Sequence, residues 1–528
     1  MTRKQLGVTV FVSLFMFSLF FGVQVRLVEA NFLPIPTPEP AFIIESDGTI
    51  NPMSAPIQRD GEVYRLTDNI VGVTIAIERN NIILDGNGYT LKGNGNATGV
   101  FIKDRNNVTV RNMKISGCSK AIYLFADVYM KVSGNNTICG NNITDNKYGI
   151  YMQHTTNNVL RNNQLNNTGS IFLVYSPLSS DMPSFINDID ASNTVNGKPI
   201  IYWINQHDKT VPQDAGQVSL INCTNIEAQK LNLTHNSHGI MLVYTKYSTI
   251  TRNNITNNSD HGIYVYKSSY NNITENTITN SGNDGIHLWS DSHNNNIDSN
   301  ALTANNQNGV YVFGSSHNSI NKNIITLNSH GVYIYSHSTN NSITGNTITE
   351  NTEYGVTISW SSNSTISENY IERNRNGILV GESSNNKIIA NIVKENNGWG
   401  IRLEDGQKNN IIYHNYFIDN NLENGMQVSM PGLWTPETWD PANPSVWDDG
   451  EKGNYWSDYT TRYPNATKID GTEIGDTKFY INPNNIDRYP IMELEMIPEF
   501  PSWTHILLIL TMFAVSLVVY RRKLCDKR

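Results

Sequence analysis

Between residues 239 and 415 the apolar positions return in fixed slots of a period near 23 residues. A glycine opens each period at 239, 262, 285, 309, 331, 355, 377 and 400, in steps of 23, 23, 24, 22, 24, 22 and 23 residues. One residue later stand Ile240, Ile263, Ile286, Val310, Val332, Val356, Ile378 and Ile401. Two residues further on stand Leu242, Val265, Leu288, Val312, Ile334, Ile358, Val380 and Leu403. Alternation with a period of two predicts a strand with one buried face. An asparagine ladder at Asn253, Asn276, Asn300, Asn323, Asn346, Asn369, Asn391 and Asn415 keeps the same mean step, with isoleucine three residues before each member and an apolar residue two after it. Each period therefore predicts three short strands separated by polar corners, with no helical pattern between them. This is an all-β solenoid, a parallel β-helix of about 23-residue coils in which equivalent side chains stack. The ladder asparagines are expected at corners with unusual backbone angles, their amides bonded to the asparagines above and below. The spacing excludes a leucine-rich horseshoe, and a propeller needs longer hairpins.

The same slots reach back through residues 80–169, for example Ile138, Asn141 and Ile143. Residues 31–79 are expected to form an N-terminal segment that caps the open end, where unpaired strand edges would otherwise be presented. From 170 to 218 the prolines at 177, 183, 199 and 212 suggest an inserted lobe. Regular coils follow over 219–424, and a Trp-, Tyr- and Pro-rich segment over 425–495 reads as the C-terminal cap.

Composition then places the chain. Only 16% of its 528 residues are charged, the net charge is -9, and there is no internal basic block, which excludes nucleic acid as a partner. Residues 1–30 read as a secretory signal peptide: Arg3-Lys4, an apolar run, then Val28-Glu29-Ala30. Residues 503–520 are apolar and long enough to span a bilayer, follow a Pro-containing linker over 496–502, and precede a basic tail over 521–528. The expected location is therefore outside the cell, anchored in its membrane by a C-terminal helix. Cys118, Cys139 and Cys223 fall on the exported side and leave room for one disulfide of unspecified pairing. Asn-x-Ser/Thr triplets are frequent, as at Asn254 and Asn272, and are compatible with a glycoprotein.

Candidate chemistry lies in the slots that the interior does not claim. Four consecutive coils place Tyr264 with Tyr266, His287 with Trp289, Tyr311 with Phe313, and Tyr333 with Tyr335 on one outer face. A contiguous exposed aromatic strip suits stacking against sugar rings, so polysaccharide or a surface glycoprotein is the expected partner. Aromatic ladders also stabilise neighbouring strands, which is the competing account. Asp284, His287 and Asp291 are candidates for acid and base in a polysaccharide lyase, epimerase or hydrolase. Binding is preferred to catalysis, because an Asn-rich corner shows such polar density in any case. His238 with His261, and His293 with His317, stand in columns where two imidazoles could share a metal, although solvated corner histidines explain them more simply. No cofactor is predicted; copper and calcium stay open.

NNIILDGNGYTL from residue 80, the repeated N-x-I-T-x-N units, NTVNGKPIIYWINQHDKTVPQDAGQVSLINCTNI from residue 193, and GNYWSDY, IDGTEIGDT and DRYPIM near the end together resemble the NosD-like proteins, with their carbohydrate-binding and sugar-hydrolysis (CASH) type β-helix built of PbH1 repeats. The resemblance spans roughly residues 45–495 and implies a right-handed parallel β-helix and an exported location. The family takes its name from copper supply to nitrous oxide reductase, so it also implies a copper-handling accessory role. The residues themselves show no Met- or Cys-rich metal motif.

Overall fold

The computed structural model describes residues 40–127, 133–174, 182–404, 408–421, 427–430, 444–482 and 484–493. The expected signal peptide, linker, membrane helix and basic tail lie outside these residues. Among the described residues no helix is long and apolar enough to cross a membrane. The chain divides into two compact units, the first comprising 1–205, 212–221 and 233–239 and the second 206–211, 222–232 and 240–528.

The first unit is a parallel β-solenoid with three sheets. One sheet runs through Ala41–Ile44, Thr74–Ile77, Thr98–Lys103, Lys120–Phe125, Tyr148–Gln153 and Gly169–Val174. A second begins at Val63–Leu66 and a third at Ile70–Val71. Coils therefore start at residue 41 and not at 80. What caps the end is narrower than residues 31–79: Ile50–Asn51 and Ile57–Asp60 fold back antiparallel on Ile43–Ile44 and Val63–Leu66 and cover the outer edges. Much of 170–218 is also solenoid and not a separate lobe. Asp188–Ile189 and Thr194–Val195 continue two sheets, and Lys198–Ile204 pairs in parallel with Gln217–Ile221. Pro199 is tolerated because it supplies a carbonyl and not an N–H to the pairing: it accepts the Gly216 N–H at 2.8 Å.

The second unit repeats the design with the regularity of its sequence. Its first sheet contains Ile240–Val243, Ile263–Tyr266, Ile286–Trp289, Asn308–Phe313, His330–Tyr335, Tyr354–Ser359, Asn376–Gly381 and Ile401–Leu403. Pairing keeps every slot in register, so Ile263, Ile286, Val310 and Val332 stack with no solvent exposure. Glycine opens each coil because of close approach: a Cβ on Gly309 would meet the carbonyl oxygen of Gly331 at 2.7 Å.

The asparagine ladder lies inside the stack. Asn276 donates its backbone N–H (3.0 Å) and its side-chain amide (2.9 Å) to Oδ1 of Asn300, and its amide also reaches the Ile250 carbonyl at 2.8 Å. Asn300, Asn323, Asn346 and Asn369 repeat the pattern. The bonding above and below is as expected, but the backbone angle is not. The left-handed conformation falls on the residue before each asparagine, including Arg252, Glu275, Ser299 and Lys322. Two more ladders, through Asn305, Asn328 and Asn351 and through Asn271, Asn295 and Asn318, turn the other corners.

At the far end Trp456 stacks between Phe417 (centroids 4.8 Å) and Phe479 (4.4 Å), and its Nε1–H donates to buried Asp487 at 2.9 Å. Aromatic area thus closes the apolar interior where the coils stop. Cys118, Cys139 and Cys223 form no disulfide with one another, so the allowance for one among them fails.

Adjacent asparagines separate ladder from surface. Asn253 is 2% exposed, accepts the Leu231 N–H, and donates to Ala228 and Asn276, whereas Asn254 is exposed on the outer side of its strand. Replacing Asn253 by Ala is expected to cost about 3 kcal/mol in chemical denaturation, because buried groups in two neighbouring coils lose their partners. Asn254→Ala should stay within about 0.5 kcal/mol of the parent.

Candidate functional site

The outward positions of the second unit's first sheet form two columns fixed by strand register. Tyr264, His287, Tyr311 and Tyr333 stand in one, and Tyr266, Trp289, Phe313 and Tyr335 in the other. The rings contact one another along and across the columns. Trp289 stacks on Phe313 with centroids 4.1 Å apart and planes 9° apart, and Phe313 meets Tyr335 at 5.7 Å. Tyr311 meets Tyr333 at 5.4 Å. Beyond Tyr333 and Tyr335 the columns drop to Thr357 and Ser359, then to Leu379 and Gly381.

Exposure divides this strip. Tyr264 (8%), Tyr266 (1%) and His287 (6%) are buried, so the expectation of an open surface along the whole strip fails at that end. Tyr266 lies edge-on to Tyr244 at 5.9 Å, and the Lys267 ammonium sits 5.4 Å from its ring. Trp289, Tyr311, Phe313, Tyr333 and Tyr335 remain half-buried, with their outer parts in solvent. These five rings are the part of this strip that reaches solvent, and more exposed rings stand outside it at Tyr247, Tyr270 and Trp360.

At the buried end three polar side chains converge from two adjacent coils. His261 precedes Gly262; Asp284 holds the equivalent slot one coil on; His287 follows three residues later in the strand. Asp284 Oδ2 lies 2.6 Å from His287 Nδ1 and 3.3 Å from His261 Nδ1, and the imidazole centroids are 4.2 Å apart. Asn308, in the following coil, fixes the carboxylate by donating its backbone N–H (2.9 Å) and its amide (2.6 Å) to Oδ1. Asp260 approaches His261 Nε2 at 3.5 Å. His261, Asp284 and His287 are the one group of three or more His, Cys, Asp or Glu residues among those described whose ligand atoms come within 4.8 Å of one another.

Buried charge sets the protonation states. Burial disfavours an ionised Asp284, but hydrogen bonds from His261 and His287 outweigh it and hold the carboxyl well below its usual range. His261 is likewise opposed by burial, yet the Asp260 and Asp284 carboxylates hold it above the ordinary value of 6.5. His287 is pushed below 6.5, by burial first and then by the charge on His261. The backbone N–H of Asp284 lies 3.2 Å from His261 Nδ1, so a neutral His261 accepts from that N–H and a protonated one donates to the carboxylate. His287 uses Nδ1 toward Asp284, while its Nε2 is buried with no hydrogen-bond partner.

The other candidates do not join this group. Asp291 is 69% exposed in its side chain and lies 3.8 Å from His293. His293 Nδ1 accepts the Ser316 N–H at 2.8 Å, and His317 occupies a left-handed corner. His238 is buried in the first unit and His261 belongs to the second. The sequence had divided one cluster into two ideas, His261 for metal and Asp284 with His287 for catalysis. The 23-residue step from His261 to Asp284 was the signal that joins them.

Opposite shifts give an observable contrast. In metal-free protein, with Asp260, Asp284, Tyr264 and Tyr311 as the surrounding groups, imidazole NMR titration should place His261 above 6.5 and His287 below it. By linkage, the stability from His261 is present below pH 6.5 and is lost as pH rises through its folded value; that from His287 is present above 6.5 and is lost on acidification. Two midpoints near 6.5 would show that the carboxylate does not couple the rings.

A family model described as "Periplasmic copper-binding protein (NosD)" matches residues 62–179 and 290–461, and one described as "Right handed beta helix region" matches residues 216–363. No curated protein matches the chain. Among solved structures the chain is similar to the periplasmic alginate epimerase AlgG at 12% identity and TM-score 0.29, over 71% of this chain and 80% of that one. It is similar to the A-module of the Azotobacter vinelandii mannuronan C-5 epimerase AlgE4 at 14% identity and TM-score 0.34, over 69% and 90%. A tailspike protein of the E. coli bacteriophage HK620, in complex with a pentasaccharide, matches at 11% identity and TM-score 0.34, over 66% and 61%. The NosD match takes in more than half of the 528 residues and runs through both solenoid units, and the chain belongs to the NosD family.

Proposed function

We propose that this protein is displayed outside the cell, held at the membrane by the apolar stretch 503–520, and binds an extended polysaccharide along the half-open aromatic surface of its second unit. The observation that carries the reading is the ladder of five solvent-reaching rings, Trp289, Tyr311, Phe313, Tyr333 and Tyr335, in two columns on an otherwise Asn-, Ser- and Thr-rich solenoid. Three successive coils span about 10 Å at the spacing of neighbouring strands. A polymer laid along the stack meets Trp289 in the first coil and a pair of rings in each of the next two, its sugar C–H faces against the aromatic faces. The step down to Thr357, Ser359 and Gly381 leaves room for the polymer beyond the last ring.

The competing account is that these rings only brace neighbouring strands. It is separated by measuring binding and stability on the same variants. Trp289→Ala and Tyr333→Ala should each weaken retention on a polysaccharide array at least about tenfold, while the melting temperature falls by only a few degrees. Retention equal to the parent in both folded variants would remove the ring ladder as a binding surface.

A further inference from the structure

The step in the outward columns past Tyr333 and Tyr335 carries an inference that rests on the polysaccharide reading and deepens it. Register places Thr357 and Ser359 in the next coil and Leu379 and Gly381 in the one after. Glu404 follows one coil further, its backbone N–H bonded to the Val380 carbonyl at 2.8 Å. Gly381 therefore opens a recess between Ser359 and Glu404, in a column that carries Trp289, Phe313 and Tyr335 in earlier coils. The backbone does not demand glycine here. A Cβ on Gly381 would first meet the ends of side chains, Glu404 Oε2 at 3.0 Å and Ser359 Oγ at 3.3 Å, whereas one on Gly309 would meet a backbone carbonyl.

Polar groups from several coils converge on this recess. Glu404 divides its carboxylate: Oε1 accepts from Arg402 Nη2 at 3.0 Å, and Oε2 is the oxygen turned toward Gly381. The Arg402 guanidinium lies 5.2 Å from the centre of the Trp399 ring, which holds it flat beside the carboxylate. The Tyr354 phenol turns to Arg402 and the Tyr333 phenol to Ser359. The side chains of Arg402 and Glu404 are 32% and 38% exposed, so their polar ends are open to a ligand from solvent.

We infer that the recess over Gly381 is a subsite for one uncharged sugar residue of the bound polymer. A sugar hydroxyl both donates and accepts, and the recess offers both roles: Glu404 Oε2 accepts, the guanidinium donates, and the Ser359 hydroxyl does either. Arg402 does not select a sugar that bears a carboxylate, because Glu404 already neutralises it. A uronate would have to break that pair and bring a second carboxylate beside Glu404, an arrangement that discriminates by repulsion. The recess adjoins the rings of Tyr333 and Tyr335, so a chain stacked on them reaches it with its next residue.

The full chain is applied to an array of uncharged glucans, mannans and galactans beside uronate polymers of matched length, together with Gly381→Tyr and Glu404→Gln. Gly381→Tyr continues the ring column while filling the recess, so it separates the subsite from the ladder. The expected result is retention of the parent on an uncharged polymer at least about tenfold stronger than on any uronate polymer. Gly381→Tyr should lower that retention at least about tenfold with a melting temperature close to the parent's. Glu404→Gln keeps the shape and frees the Arg402 charge, so it should narrow the preference against uronates. The inference is overturned by stronger retention on uronate polymers, by retention of folded Gly381→Tyr equal to or above the parent's, or by an unchanged preference in Glu404→Gln. Loss of retention in Trp289→Ala together with parental retention in Gly381→Tyr would leave the ring ladder standing and remove the subsite. Absence of parent retention on every polymer would overturn both.

Discussion

A buried carboxamide that takes two N–H groups from one neighbouring coil and returns its own to another is the interaction on which this solenoid depends. In the second unit Asn253, Asn276, Asn300 and Asn323 each satisfy backbone and side-chain groups at a corner where the chain turns away from any strand partner. Buried amides without partners cost about 1–3 kcal/mol each. A slip of one residue in one coil would unpair several at once and turn the isoleucine columns outward. The ladders therefore fix register more firmly than apolar burial alone, which would accept an isoleucine from either neighbouring slot.

Fixed register has a consequence for the outer face. Once Ile263, Ile286 and Val310 are stacked, Tyr264, His287 and Tyr311 must stack as well, because they are the alternate residues of the same strands. Rings and titratable groups distant in sequence are thereby held at separations of 4–6 Å without any dedicated loop. The scaffold supplies the spacing, and the side chains in the outward columns supply the chemistry. The same logic brings His261 and Asp284 together, since each precedes a glycine whose close backbone approach leaves no room for a side chain.

How far this was legible in the sequence follows from where periodicity holds. The three strands per coil, the interior isoleucines and both aromatic columns could be read directly, because each slot recurs eight times. The coils within 41–79 and 170–218 could not, because their strands are as short as two residues and their spacing is irregular, so no slot repeats often enough to be seen. The position of the left-handed residue was misassigned by one place. Asparagine favours that conformation, but here the carboxamide is needed inside, and Arg252, Glu275 or Ser299 takes the strained angle in its place. Burial of Tyr264 and Tyr266 was illegible for a different reason: strand alternation tells which face a ring leaves by, and not how far side chains such as Tyr244, His261 and Lys267 cover it there.

The central claim is that the interior ladders, and not the outer face, hold the coils in register. Native-state hydrogen exchange measures it most directly, because the backbone N–H of each ladder asparagine is bonded to the side-chain oxygen of the next. The account predicts that the amides of Asn253, Asn276, Asn300, Asn323, Asn346 and Asn369 exchange at the slow limit and lose protection together as denaturant is added. Ladder amides that exchange as fast as exposed corner residues, or that open one by one while the aromatic strands stay protected, would contradict it.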